Sequence, residues 1–259
     1  MLHYFGPELA APEGSRGRFA PPATKPAETP SALPVIGVPI GGRDVVRAAL
    51  TWNLAVEVAR LGARALVLSP EAALASTLWP HSGSGPLGVE LRPTLASNPE
   101  SLALEATRVA AERSSGPTEG GLVFVGIPPA WLDAMPRESP LLRWSLLFSS
   151  SGTSDLKETL KVAKTLLEHQ HGGRVGITIH GAQCRSEAET AFLRLARAAR
   201  RSLPGDVTSY GLLVDDLQVY RAIVAQRPIG LAHPQSPAAR ALRDVAQLLL
   251  GDAQEKSDG

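Results

Sequence analysis

VIGVPIGGRDVVRAALTWNLAVEVARLGARALVLSPE, the stretch from Val35 to Glu71, decides the fold. It opens on an apolar run (Val35–Val38), turns at Gly41 and Gly42, continues as a helical pattern over Asp44–Leu61, and ends on a second apolar run (Ala65–Leu68). Strand, glycine turn, helix, strand is the order in which a mononucleotide-binding βαβ unit begins.

The same alternation continues outward. Further strands are expected at Val89–Leu91, Leu122–Val125, Ser145–Phe148, Val175–Ile179 and Tyr210–Leu213. Helices are expected at Glu100–Glu112, Asp155–Glu168, Ser186–Arg201, Asp216–Ala225 and Pro237–Leu249. In the Asp155 helix, Leu156, Leu160, Ala163 and Leu167 recur at helical spacing and predict one buried stripe. Two Gly-, Ser- and Pro-rich stretches, Trp79–Pro86 and Ser114–Gly120, read as long loops. The pattern predicts an α/β fold: a doubly wound, mostly parallel sheet with helices on both faces.

Composition bounds the function. A chain of 259 residues with formal net charge +1 gives no general attraction to nucleic acid or a membrane surface. One cysteine, Cys184, excludes an internal disulfide and suits a reducing compartment. No signal peptide or membrane-length apolar run is present, so a cytoplasmic location is expected. Three segments follow: residues 1–34 as a flexible N-terminal arm, 35–250 as the α/β domain, and 251–259 as a disordered tail. The arm is rich in Pro, Ala and small polar residues. Its first residues carry Leu2, Tyr4, Phe5 and Leu9, which suit either a frayed terminus or a short partner-docking peptide.

The quoted stretch resembles the MinD/ParA group of deviant-Walker P-loop ATPases, and within it the FlhG-like proteins that control flagellar number and placement. Their opening pattern is KGGxGK(S/T)TxxxNLAxxLAxxGxxVLLxDxD. Asn53, Leu54, Ala55, Ala59, Gly62 and the Ala65–Leu68 run fall in register with it. The segment GLLVDDLQVYRAIVAQRPIGLAHPQSPAARALRDVAQLL, starting at Gly211, resembles the family's closing GxIPxDxxVxxAVxxxxPxxxxxPxSPAAxAxxxIA.

The departures from that pattern bear on function. Counting back from Asn53, Arg47 stands at the P-loop lysine, Ala48 and Ala49 at the Ser/Thr pair, and Val46 and Asp44 at two glycines. Gly42 stands at the signature lysine, with Arg43 one step away. In a working P-loop the hydroxyl ligates magnesium and the lysine reaches the β- and γ-phosphates. Alanine offers magnesium nothing, and arginine's planar fork does not replace a compact ammonium in a tight cradle. Asp44 is expected to cap its own helix where phosphate would sit. Ser69 and Gly126 stand at two acidic positions, while Glu71 keeps a third; His180 and Val214 replace the Asn and Pro of the base-binding region.

By this resemblance the chain is a catalytically inactive pseudo-ATPase with no catalytic residue, no metal and no cofactor. Gly41, Gly42, Arg43, Arg47 and Glu71 line a vestigial pocket. The chain is expected to act as a scaffold or regulator in positioning or assembling a cellular machine. Its partners would be proteins: an active relative of the same family, or a component of a polar or envelope assembly. A homodimer is compatible with this, whereas a direct membrane anchor is not, since LLLGDAQEKSDG lacks the basic and aromatic faces of one. Two alternatives remain open: a divergent ATPase switch that binds ATP with magnesium through Arg43, Arg47 and Glu71, and a sensor of another anionic metabolite.

Other motifs carry plainer readings. SSSGTSD (Ser149–Asp155) suits an anion-binding turn or a capped helix start. Glu168, His169 and His171 suit a metal site or a solvated helix end, and Cys184 with His180 suggests a thiol nucleophile only weakly. Arg194, Arg197, Arg200 and Arg201 make one helix locally basic, which suits a solvated face or a patch for an acidic partner.

Overall fold

A computed structural model describes residues 32–70, 80–114 and 120–257. Leu2, Tyr4, Phe5, Leu9 and Glu71 lie outside the described residues. The strands are β1 (Val35–Pro39), β2 (Arg64–Pro70), β3 (Gly83–Ser84), β4 (Glu90–Thr94), β5 (Gly121–Ile127), β6 (Trp144–Ser150), β7 (Arg174–Ala182) and β8 (Val207–Val214). The helices are α1 (Val45–Arg60), α2 (Pro99–Glu112), α3 (Thr153–His169), α4 (Arg185–Ser202), α5 (Leu217–Val224), α6 (Ile229–Ala232) and α7 (Pro237–Ser257). The strands form one sheet in the order β3-β4-β2-β5-β1-β6-β7-β8. Every neighbouring pair is parallel except β3 with β4.

Central strands are apolar at every position because both faces are covered. Along β5, Leu122 and Phe124 face the core shared with α1 and α7, whereas Val123 and Val125 face the core shared with α2, α3 and α4. A one-residue slip would exchange the two cores, so register is strongly specified. The α3 stripe sits slightly rotated from expectation: Leu156, Thr159, Ala163, Leu166 and Leu167 are buried, and Leu160 is half-buried.

Three boundaries need correction. Two residues of the expected loop at Trp79–Pro86 form β3, which pairs antiparallel with β4 at Gly83–Leu91 and Ser84–Glu90. Leu33 belongs to the packed domain rather than to an arm ending at 34: it is buried, and its N–H donates to the Ala110 carbonyl at 3.1 Å. The last helix does not stop at 250 in a disordered tail but continues to Ser257. Ala253 is buried there, and the Asp252 carboxylate accepts the Tyr210 hydroxyl at 2.5 Å while lying 3.4 Å from Arg174. Tyr210 in turn accepts the Trp144 indole N–H at 3.1 Å, so a polar chain pins the helix end to β6 and β8. Burial, and then the hydrogen bond to Asp252, raise the Tyr210 phenol pKa above its ordinary value.

Candidate functional site

Ligands of open α/β sheets bind beyond the carboxyl ends of the strands, where the strand order reverses. Here that point lies around β1, which stands between β5 and β6 and leads through the Ile40–Asp44 turn into α1. The turn is closed by its own backbone: Ile40 N–H donates to Ile127, Asp44 N–H to Gly41 and Val45 N–H to Arg43, at 3.0, 2.9 and 3.1 Å.

Asp44 is the N-cap of α1, and its carboxylate accepts the Arg47 N–H at 3.0 Å. The other carboxylate oxygen lies 3.2 Å from Arg47 Nε, so the same aspartate also holds the arginine side chain. Two amides at this helix start are thereby taken, that of Val45 by the Arg43 carbonyl and that of Arg47 by the Asp44 carboxylate. Arg43 is exposed and has no ion pair among the described residues. Neither Gly41 nor Gly42 has a positive φ, and a Cβ on Gly41 would meet nothing within 4 Å. The structure thus brings Gly41, Gly42, Arg43 and Arg47 together at one turn.

Ala48 and Ala49 are buried with no oxygen to offer a metal. Ser69 and Gly126, far apart in sequence, are neighbours at the ends of β2 and β5. A Cβ built on Gly126 would lie 3.1 Å from Ser69 Oγ, a buried hydroxyl with no hydrogen-bond partner among the described residues. Among the described residues no group of three or more His, Cys, Asp or Glu side chains converges as metal ligands do. The side chains at this turn do not fit magnesium triphosphate: a carboxylate stands where phosphate would approach, and no hydroxyl reaches toward a cation.

His180, near the end of β7, is half-buried; burial first, and the charge of Arg47 second, push its pKa below the ordinary value. It lines a cleft of about 20 Å³ with Val46, Leu50, Val214, Val219 and Tyr220. Small-molecule sites typically hold roughly 300–1,000 Å³. A larger groove of about 440 Å³ lies along edge strand β8, among Tyr210, Leu212, Arg240 and Leu248.

The remaining motifs resolve locally. Ser150 Oγ donates to Asp155 at 2.7 Å and accepts Gly152 N–H at 3.3 Å, so the serine-rich turn is partnered internally. His169 lies 2.9 Å from the Thr165 carbonyl, and exposed His171 lies 3.5 Å from Glu138, each at a separate place. Cys184 is the exposed N-cap of α4, where the Ser186 hydroxyl and then the Glu187 backbone lower its thiol pKa. The hydrogen-bond partner of Cys184 is Ser186, at 3.2 Å.

The scaffold around α1 is tightly joined. Asn53 Nδ2 donates to Ala49 at 2.7 Å, and its Oδ1 accepts the buried Ile229 N–H at 2.7 Å, tying α1 to α6. Glu57, 1% exposed, takes both Arg60 contacts at 2.8 and 2.9 Å. Sequence reasoning placed Asn53 in register but missed its bond to Ile229, which no local pattern announces.

No family model matches the sequence, and no curated protein matches it. Solved structures do. MinD in the MinC:MinD cell division complex of Aquifex aeolicus matches with TM-score 0.60 and 18% identity, over 84% of this chain and 95% of that one. MinD with Mg-ADP from Pyrococcus horikoshii matches with TM-score 0.57 and 14% identity, over 84% and 96%. A ParA-family ATPase of Chlorobium tepidum matches with TM-score 0.54 and 11% identity, over 83% and 98%. At such identities the likeness is one of fold: the chain has the P-loop NTPase fold of the MinD/ParA type.

Proposed function

We propose that this chain is a catalytically inactive scaffold or regulator of the MinD/FlhG type, acting by protein–protein contact in positioning or assembling a cellular machine. The observation that carries the reading is the Asp44 cap, whose carboxylate takes the Arg47 N–H at 3.0 Å at the helix start where the resembling family binds phosphate. Replacement of the hydroxyl by Ala48 and of two acidic positions by Ser69 and Gly126 supports it. The FlhG-like element rests on the resemblance of the closing segment from Gly211. A protein partner is in keeping with the MinC:MinD complex among the similar structures.

A ligand shifts an equilibrium only through its differential affinity for the two states. Without a phosphate cradle, ATP has no handle on assembly, so the chain keeps one oligomeric state with or without it. Titration calorimetry with ATP, ADP and GTP plus magnesium, together with light-scattering mass, tests this. Micromolar binding, or a mass that changes with ATP, overturns it in favour of a divergent ATPase switch. The sensor alternative draws on exposed, unpaired Arg43, and the same titration with pyrophosphate decides it.

A further inference from the structure

Two basic stripes flank the groove between α3 and α4. On α3, Lys157, Lys161 and Lys164 recur at i, i+4 and i+7 and share one flank. On α4, Glu187, Arg194 and Arg201 form a line at heptad spacing. That line is turned toward α3, because the Glu187 carboxylate at its head accepts the Ser151 hydroxyl, just before α3, at 2.6 Å. The lysine flank is turned toward α4: Leu167, one turn beyond Lys164, borders Gly205 in the loop after α4, where a Cβ would lie 3.4 Å from it. Arg197, outermost on α4, completes the set.

All six cations are exposed. Lys164 pairs with Glu168 at 3.7 Å, and the other five have no ion pair among the described residues. The end of α4, Phe192–Ser202, carries four arginines and no acid, although the whole chain has a net charge of only +1. Like charges gathered on one face repel one another unless a counter-charge covers them.

We propose that the α3–α4 groove docks an acidic segment of a protein partner. The inference rests on the scaffold reading and adds the partner's chemistry to it. A uniformly anionic phosphate ladder or lipid surface fits less well, because it would meet exposed Glu158 and compete with Glu168 and Glu189 for Lys164 and Arg185. A partner of mixed sequence can match these glutamates with its own lysines. Neither helix offers an exposed aromatic ring to stack on bases or sit among headgroups; Phe192, their one aromatic, is half-buried. Leu193, 50% exposed beside the arginines, gives an apolar contact that a peptide can cover.

The test uses the full chain and a short glutamate- and leucine-rich peptide, with duplex DNA and phosphatidylserine vesicles as competing probes. The expected result is peptide-induced amide shifts confined to α3, α4 and the loop of residues 203–206, weakening as salt rises. The triple variant Arg194→Glu, Arg197→Glu, Arg201→Glu should lose about tenfold or more in affinity. If that variant fails to fold, Arg→Gln at the same positions, with an unchanged melting temperature, replaces it. Shifts elsewhere, no shifts, or tighter binding of DNA or vesicles through these residues would overturn the proposal. An ATP-dependent change in mass would instead overturn the scaffold reading and leave the groove's result standing.

Discussion

The two ends of α1 have settled their polar groups differently. At its start, Asp44 turns inward on its own helix and satisfies Arg47, so the polar groups there close locally. Farther along, Asn53 and Glu57 point outward to other elements, one binding the Ile229 amide and the other packed against Gly230. The first arrangement draws on neighbours in the same turn, while the second makes the fold depend on distant residues. One helix thus carries a locally satisfied start and a middle tied into the rest of the fold.

Substitutions at the two ends break or sharpen that contrast. The largest effect is expected at Gly230, where a Cβ would lie 1.7 Å from the buried Glu57 carboxylate. Gly230→Ala should cost about 3 kcal/mol in urea unfolding, the upper end of the overpacking range; a loss below about 1 kcal/mol would show that α6 floats free of α1. Asn53→Ala strands the buried Ile229 N–H and should cost about 2 kcal/mol, with faster exchange of that amide as the direct readout.

At the other end, Asp44→Ala removes the cap and its partly exposed ion pair with Arg47, and should cost about 1 kcal/mol. Calorimetry should still find no ATP binding in that variant; recovery of binding would show that the carboxylate alone had closed the site.

His180 gives a pH signature of the same end. Its pKa is lowered in the folded state, so its contribution is full above the ordinary value of about 6.5 and is lost as pH falls through the lower folded value. His180→Gln should flatten the acid side of a stability-versus-pH curve. The smallest effect belongs to Gly41→Ala, whose added methyl meets nothing within 4 Å and needs no positive φ. Its melting temperature should stay within the change expected for about 0.5 kcal/mol, the range of a neutral surface substitution.

The sequence exposed the alternation of strands and helices because a parallel sheet covered on both faces writes its strands as unbroken apolar runs. It also exposed the Asp44 cap, since capping depends on residues three apart. What it hid depends on tertiary neighbours. Gly83 and Ser84 pair as a strand only because β4 lies beside them. GDAQEKS carries no apolar period, yet Asp252 meets Tyr210 across 42 positions and holds the helix in place. Ser69 and Gly126 become neighbours only once β2 is known to lie against β5. The arginines of α4 stood out along the chain, whereas the lysines of α3 gain notice only once the two helices are seen side by side.

The Asp44 cap also sets what a change at this turn costs the fold. Removing that carboxylate gives up about 0.5–2 kcal/mol of helix stability, from a domain holding roughly 5–15 kcal/mol in all. A side chain at position 126 would in turn press on Ser69, whose hydroxyl lies 3.1 Å from where a Cβ would stand. Substitutions on the outer helix faces, away from such caps and buried bonds, change binding chemistry at little cost to the fold.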